Sequence, residues 1–481
     1  MRSHLKFFIG GQWVEPASSS IHEAINPATE TVAGKIAMGN AVDVDRAVAA
    51  ARQAFDRYSQ TSTEERQALL ERIAAGMAAR AKDLHAALTE EMGSPTWAAE
   101  QAHVPLALGH FAAAIKQLQS YEFEEKRGIH LVRKVPIGVC ALITPWNWPV
   151  AMLAAKTAPA LAVGCTVVLK PSEFSPFTAQ IFAEVLHEAG VPPGVFNMVF
   201  GDGPTVGTAL SRHPDVDMVS ITGSTRAGIE VAKNAADTVK RVHQELGGKS
   251  PNLMLPDADL EKAVASGTTF IMINSGQSCS APSRMLVPRH LMDAAGEIAR
   301  KTVQSLVVGR PDGGAFIGPV VNASQWKRIQ GYIQSGIDEG ARVLVGGAGK
   351  PEGLQTGYYV KPTVFTNVRP DMRIAKEEIF GPVLVIIPYD DEEEAVRIAN
   401  DSPYGLAAYV HSRSLEKARA VGARIRAGQV YLNGDLNLFD STVPFGGCKC
   451  SGNGREGGVE GLESFLEDIA FLGYAPETQA A

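Results

Sequence analysis

The chain has 481 residues, more than one ordinary core accommodates, so at least two domains are expected, and roughly 150 residues per domain would allow about three. Apolar residues make up 45% and charged residues 20%, and no apolar run reaches the roughly 18 residues of a spanning helix, which excludes a membrane anchor. With 45 basic against 52 acidic residues, a net −7, and the basic ones scattered, nucleic-acid binding is excluded as well.

The N-terminal MRSHLKFFIGGQWVEP has early Arg2 and Lys6, but Gly10, Gly11 and Gln12 break its apolar run short of a signal peptide's core. Two amphipathic helices are predicted next, Val42 to Tyr58 and Glu64 to Glu91, the second introduced by Ser62 with Glu65 three residues on, a capping-box pattern. Tyr121 to Pro136 alternates polar and apolar residues as a two-stranded excursion does.

From Gly138 the texture changes to short β-rich runs alternating with helical ones. GVCALITPWN precedes a helix from Val150. TVVLKPSE precedes one from Phe177 to Ala189, VFNMVFG one from Pro204, and DMVSITGS one from Thr225, before RVHQELGG closes the series. Five strands alternating with four helices predict an α/β, Rossmann-like doubly wound parallel sheet, because parallel strands need crossover connections. Ligands in such sheets lie at the carboxyl ends of the strands, where Trp146, Asn147, Lys170, Glu173, Gly223, Ser224 and Glu245 fall. After Pro251 a second α/β domain is expected, with NLMLPDAD, SRMLVPRH and a helix from Ala323 to Glu339. Phe465 to Tyr474 reads as a last strand, and PETQAA as a frayed end.

Cysteines stand at 140, 165, 279, 448 and 450, an odd set without regular spacing, as expected of a reduced cytoplasmic enzyme. Cys448 and Cys450 have no nearby Cys or His pair to complete a tetrahedral site, so no metal is expected. Cys279 closes the turn-like run NSGQSC among residues too polar for a core strand, which favours a nucleophile over one more buried apolar thiol. A thiol attacks carbonyls as thiolate, so its surroundings must help, and backbone amides of the glycine turn are candidates. Glu245, opening ELGGKSPN, is a candidate carboxylate base.

The remaining motifs each have two readings. GDGPTVG at Gly201 has one residue too many for the dinucleotide fingerprint and reads equally as an ordinary strand-to-helix turn. GSTRAG at Gly223 follows an apolar strand and opens a helix, where amides can hold a pyrophosphate. KPSE offers a cation and a carboxylate suited to ribose oxygens, or a solvated pair. PWNWP boxes Asn147 between tryptophans and prolines, either as a donor to a developing oxyanion or as a structural turn. EEIFGP at Glu377 and PFGGCKCSGNGREGG at Pro444 read as loops shaping a domain junction.

PWNWP, KPSE, ITGST, ELGGK, GQSC, EEIFGP and PFGG-K-SG-GRE occur in the order found in NAD(P)-dependent aldehyde dehydrogenases, and the chain resembles that family from FIGGQWV to the closing strand. The resemblance implies Cys279 as nucleophile, Glu245 as general base and Asn147 with the Cys279 amide as oxyanion hole. It implies Lys156 and Glu456 as a proton-relay pair. It places Lys170 and Glu173 at the adenosine ribose, Gly223 and Ser224 at the pyrophosphate, and Leu246, Glu378 and Phe380 at the nicotinamide. Ile143, Thr144, Pro145, Trp146, Ser172 and Gly203 complete the implied cofactor groove.

The implied substrate tunnel is Trp148, Met152, Ala155, Ser278, Ser280, Phe439 and Phe445, mostly apolar and aromatic, with no arginine to grip a distal carboxylate. His110 in the preceding helix is expected to pack there rather than contact substrate. Glu173 should repel the 2′-phosphate of NADP, which favours NAD. Relatives that transfer the acyl group to coenzyme A commonly lack the glutamate, so its presence implies hydrolysis. A coenzyme A-acylating enzyme and a catalytically silent nucleotide-binding protein remain the alternatives. By the same resemblance residues 1–120 and 138–246 form the cofactor domain and 247–450 the catalytic domain. Residues 121–137 and 451–481 then pair between subunits of a homotetramer built from dimers.

Overall fold

In the computed structural model residues 2–434 and 439–475 are described, and every structural statement below concerns these. Residues 435–438 and the tail from 476, expected to fray, lie outside them.

The five strands read from the sequence form one parallel sheet, in the order Arg241–Glu245, Met218–Thr222, Val139–Ile143, Thr166–Lys170, Phe196–Met198. Val139–Ile143 and Thr166–Lys170 are buried at every residue because helices cover both faces, and their apolar runs VCALI and TVVLK are what such a sheet requires. The chain winds one way from Val139–Ile143 to Phe196–Met198, then crosses back to Met218–Thr222. The order therefore reverses between Val139–Ile143 and Met218–Thr222, and a doubly wound sheet opens its ligand crevice at that point. Two short N-terminal strands, Phe7–Ile9 and Gln12–Val14, extend the far edge as an antiparallel hairpin. No sequence periodicity announced them, since three residues are too few to show alternation.

The first helix spans Ala41–Tyr58, capped by Asn40. The capping box at Ser62 is formed, with Glu65 N–H donating to Ser62 Oγ at 3.1 Å and Ser62 N–H to Glu65 Oε2 at 2.7 Å. The single helix expected from Glu64 to Glu91 is instead two, Thr63–Ala79 and Ala81–Met92. They break at Arg80, whose guanidinium ties Asp83 to Glu184 of the Pro176–Glu188 helix. The helix expected from Pro204 is likewise a π-turn, Gly203–Gly207, running into a short Thr208–Arg212 helix.

A second sheet follows in the order Arg342–Val345, Thr363–Thr366, Val383–Tyr389, Arg284–Pro288, Pro251–Met254, Ala407–His411, Gln429–Leu432, parallel except at its first strand. The excursion at Tyr121 is the hairpin Glu124–Arg127 and His130–Pro136, and Leu466–Phe471 pairs with its inner strand. Among the described residues no helix is long and apolar enough to cross a membrane, and no three His, Cys, Asp or Glu side chains gather as a ligand set.

Candidate active site

The crevice at the reversal point is a cleft of about 220 Å³ bordered by strand ends of the first sheet and by loops and helices that connect strands of the second. Asn147 and Trp148 come from the loop after Val139–Ile143, Gly223 and Ser224 from the loop after Met218–Thr222, and Glu245 and Leu246 from the end of Arg241–Glu245. Cys279 with its serine neighbours comes from the loop that follows the Leu260–Met272 helix.

That loop is built around three successive left-handed residues, Asn274, Ser275 and Gly276, with φ of 53°, 56° and 73°. Such a conformation costs about 1–2 kcal/mol for each non-glycine residue and persists only where the surroundings hold it. Here hydrogen bonds do so. Asn274 Nδ2 donates to the Asn147 carbonyl at 2.7 Å and Gln277 Nε2 to the Asn274 carbonyl at 3.0 Å. Gln277 Oε1 accepts from Val321 N at 2.9 Å, and Ser275 Oγ donates to the Gly318 carbonyl at 2.8 Å. Gly276 is required because a Cβ there would lie 2.1 Å from the Gly381 carbonyl.

The loops carrying Asn147 and Cys279 are thus tied to one another. Asn147 Nδ2 donates to the Gln277 carbonyl at 3.0 Å, and Trp148 Nε1 to Ser278 Oγ at 2.7 Å. A carboxamide has two N–H donors, and the bond to Gln277 takes only one of those of Asn147. A buried histidine supports this arrangement from behind: the ring of His103 lies 4.2 Å from that of Trp148.

Burial pushes the Cys279 thiol up to about 12, and the nearby carboxylates of Glu378, Glu245 and Glu456 add to the rise. The Ser280 amide acts the other way but does not prevail. The help expected from backbone amides is present, then, and is outweighed by desolvation and negative charge. Glu245 is also raised well above the usual carboxylate range, by burial first and then by Glu456. Neither of its oxygens has a hydrogen-bond partner, and Oε1 rests against the glycines 446 and 454, where a Cβ would come within 2.7 and 2.8 Å of it. Beside it Lys156 Nζ donates to Glu456 Oε1 at 2.7 Å, both fully buried. Burial alone would raise Glu456, yet Lys156 and His243 hold it below its ordinary value.

Sequence and structure comparisons agree with this geometry. The aldehyde dehydrogenase family model matches residues 13–469. The chain belongs to the aldehyde dehydrogenase family. It is 52% identical to a 3-succinoylsemialdehyde-pyridine dehydrogenase of a Pseudomonas species, over 98% of this chain and 99% of that one. Among solved structures it is similar to aldehyde dehydrogenase C of Pseudomonas syringae, a cysteine-to-alanine mutant complexed with NAD+ and octanal. The TM-score is 0.97 at 52% identity, over 98% of this chain and 97% of that one. A Mycobacterium tuberculosis aldehyde dehydrogenase complexed with NAD+ matches with TM-score 0.96 at 41% identity, over 99% of each chain.

In this aldehyde dehydrogenase Leu246, Glu378 and Phe380, expected near a nicotinamide, border the cleft with Cys279, as do Pro145 and Trp146 of the expected cofactor groove. Glu378 Oε1 accepts from Gly248 N at 2.9 Å, and burial lifts its carboxyl to about 6. Phe380 has φ of 61° and stands edge-on to Trp146 at 5.5 Å. Gln325 and Arg328 hold this segment through the Phe380 and Glu378 carbonyls, each at 2.8 Å. Both also border the cleft and went unrecognised, since their helix carries no chemical motif.

Lys170 and Glu173, expected at the adenosine ribose, and the remaining groove residues Ile143, Thr144, Ser172 and Gly203 lie outside the cleft. Ile143 and Thr144 are buried, Ser172 Oγ accepts from Phe174 N, and Gly203 stands in the π-turn. Lys170 Nζ donates to the Gly201 and Pro171 carbonyls at 2.6 and 3.0 Å and lies 3.6 Å from Glu173, so much of its donor capacity goes to bracing the strand end. Arg226 is exposed.

On the opposite side Trp148, Met152, Ser278, Ser280, Phe439 and Phe445 border the cleft. Ala155 does not. It is buried one turn beyond Ala151 and Met152, which are the residues its helix presents to the cleft. His110 departs from the packing role expected of it: it borders the cleft edge-on to Phe439, and its Nε2 has no partner. Leu106, four residues earlier on the same helix, and Phe270 are further lining residues. The i, i+4 spacing of Leu106 and His110 is a signal that could have found them; Phe270 offers none.

Proposed function

We propose that the enzyme oxidises an apolar aldehyde to its carboxylic acid with NAD as hydride acceptor, releasing the acid by hydrolysis. The observation that carries this reading is the meeting of Cys279, Asn147 and Glu245 in one cleft, with a helix N-terminus at Ser224 on one side and an aromatic tunnel on the other.

The Thr225–Ala235 helix, capped by Ser224 Oγ on Ala227 N, can receive phosphate oxygens. Glu378, Leu246 and Phe380 would hold the nicotinamide end, with Lys170 and Glu173 toward the adenosine. NAD held by these residues would supply the hydride acceptor for the carbon attached to sulfur. Cys279 Sγ adds to the aldehyde carbon as thiolate, and the alkoxide forms between the free Asn147 N–H and the Cys279 amide. Three carboxylates oppose that thiolate, so its formation depends on charge brought by the reactants. Loss of hydride leaves a thioester on Cys279. Glu245, desolvated and unpartnered, then takes a proton from water as the oxygen bonds to the thioester carbon and the C–S bond breaks toward sulfur. The 52%-identical relative solved with octanal supports an aliphatic substrate, and the tunnel's aromatic walls admit aryl aldehydes too.

Coenzyme A transfer is the second reading, and Glu245 in the cleft weighs against it. The exposed strand Glu124–Arg127 leaves an open sheet edge, which supports assembly through residues 121–137 and 451–475 into a homotetramer.

A panel of aliphatic, aromatic and carboxylated aldehydes with NAD and with NADP tests the assignment. Octanal and aryl aldehydes should give NADH and free acid without coenzyme A, ahead of short carboxylated ones, and Cys279→Ala should give none. Full activity in that variant, or an acyl-coenzyme A product, overturns the reading.

A further inference from the structure

The mechanism above leaves a proton on Glu245, inside a buried site, at every turnover. Two residues earlier on the same strand, and therefore on the same face, stands His243, a residue that mechanism does not use. The residue is 5% exposed and borders a different cavity, of about 550 Å³, lined also by Arg241, Arg455, Glu460 and Glu463. Glu456 borders the catalytic cleft. Between them runs an unbroken chain of short contacts: Glu456 Oε1 to Lys156 Nζ at 2.7 Å, Lys156 Nζ to Ser220 Oγ at 2.8 Å, and Ser220 Oγ to His243 Nδ1 at 3.0 Å. His243 Nε2 faces both the carbonyl of Arg455, at 3.1 Å, and its N–H, at 3.0 Å, so the site accommodates either tautomer. Glycine at 454 keeps the two strand residues adjacent: a Cβ there would meet Glu245 Oε1 at 2.8 Å and His243 Nε2 at 2.6 Å.

From this we infer that Ser220 and His243 form the exit by which the proton taken up by Glu245 leaves the catalytic cleft for the second cavity. The inference rests on the hydrolytic reading above. Neither Glu245 oxygen has a hydrogen-bond partner, so Glu245 passes its proton through a water of the cleft to the Glu456–Lys156 pair. The Lys156 ammonium gives one proton to Ser220 Oγ as Ser220 gives its own to His243 Nδ1. The proton on His243 Nε2 departs to water in the second cavity, and Lys156 is made whole from Glu456. No bond other than O–H and N–H changes, and one proton enters for each that leaves. Burial first, and Lys156 next, hold His243 down to about 4, so the ring conducts a proton without storing one. The charged groups facing it are Lys156, Glu456 and the neighbouring Arg455. His243 and Ser220 touch neither substrate nor reacting atoms; they act through Glu245.

The test follows acid release by quench-flow alongside the NADH burst, in His243→Gln and Ser220→Ala, with retained NAD binding as the check on folding. Both variants should keep the burst. Acid release should slow about tenfold, less than the ~10²–10⁴-fold of a general base itself. The solvent deuterium effect on acid release should rise, and added imidazole should restore the rate in His243→Gln. Unchanged acid release in both variants overturns the inference, and so does a burst that falls in parallel with it, the mark of a structural role. Slowing in His243→Gln alone overturns the Ser220 leg. Glu245→Gln run beside them separates the two readings: if it releases acid at the wild-type rate, hydrolysis by Glu245 fails and the exit with it.

Discussion

The surroundings of Cys279 and of Glu245, a few side chains apart in one cleft, are opposites. The cysteine loop is held by reciprocal hydrogen bonds from Asn274, Gln277, Ser275 and Trp148, enough to maintain left-handed residues at 274 and 275. The glutamate carboxylate makes no hydrogen bond and lies against bare glycines. A nucleophile must present its sulfur at one place relative to the oxyanion donor, and a small displacement of a reacting atom costs orders of magnitude in rate. A base that serves one step and then sheds a proton needs an environment that raises its proton affinity without fixing it. Burial acts on both groups, but at Glu245 no hydrogen bond fixes the carboxylate, while a network of hydrogen bonds holds the Cys279 loop in place.

Glu245→Gln breaks the contrast most severely. It keeps the shape and removes the base, so the NADH burst should persist while steady turnover drops on the order of 10²–10⁴-fold. A burst lost together with turnover would place Glu245 in the acylation step as well. Asn274→Ala attacks the other side by removing a buried bond to Asn147 and a residue tolerant of left-handed φ. A loss of about 1–3 kcal/mol in stability is expected, and a kcat lower by about tenfold with NAD affinity unchanged. Thermal unfolding and steady-state kinetics together would show whether the loop's rigidity matters to catalysis.

The mildest probe is pH. With the thiol pushed up to about 12, its thiolate fraction is small near neutrality and grows with pH throughout the accessible range. Iodoacetamide labelling of Cys279 in the enzyme without NAD should therefore accelerate about tenfold per pH unit between 7 and 10. A plateau below pH 9 would mean that the loop dipoles win over burial after all.

Much of this was legible in advance. The five-strand alternation gave the parallel sheet because buried parallel strands must be apolar on both faces, as VCALI and TVVLK are. The chemistry-bearing residues were legible because they sit in short motifs at strand ends. Helix boundaries failed where tertiary contacts intervened, as at Arg80, which no periodicity marks. Gln325, Arg328 and Phe270 went unread because each reaches the cleft from an otherwise ordinary helix.

What the sequence by itself determined is the inventory: a thiol, a carboxylate and a carboxamide in glycine-rich settings, on a chain patterned for two parallel sheets. That much is local, since it depends on residue type, spacing and periodicity. Only the tertiary structure decided how these groups stand toward one another. It drew the Asn147 and Cys279 loops together across 130 residues through Gln277, left Glu245 without a partner, and placed Ser220 between Lys156 and His243. Desolvation and hydrogen bonding depend on what packs around a group in space, and in this cleft the packing comes from segments far apart in the chain.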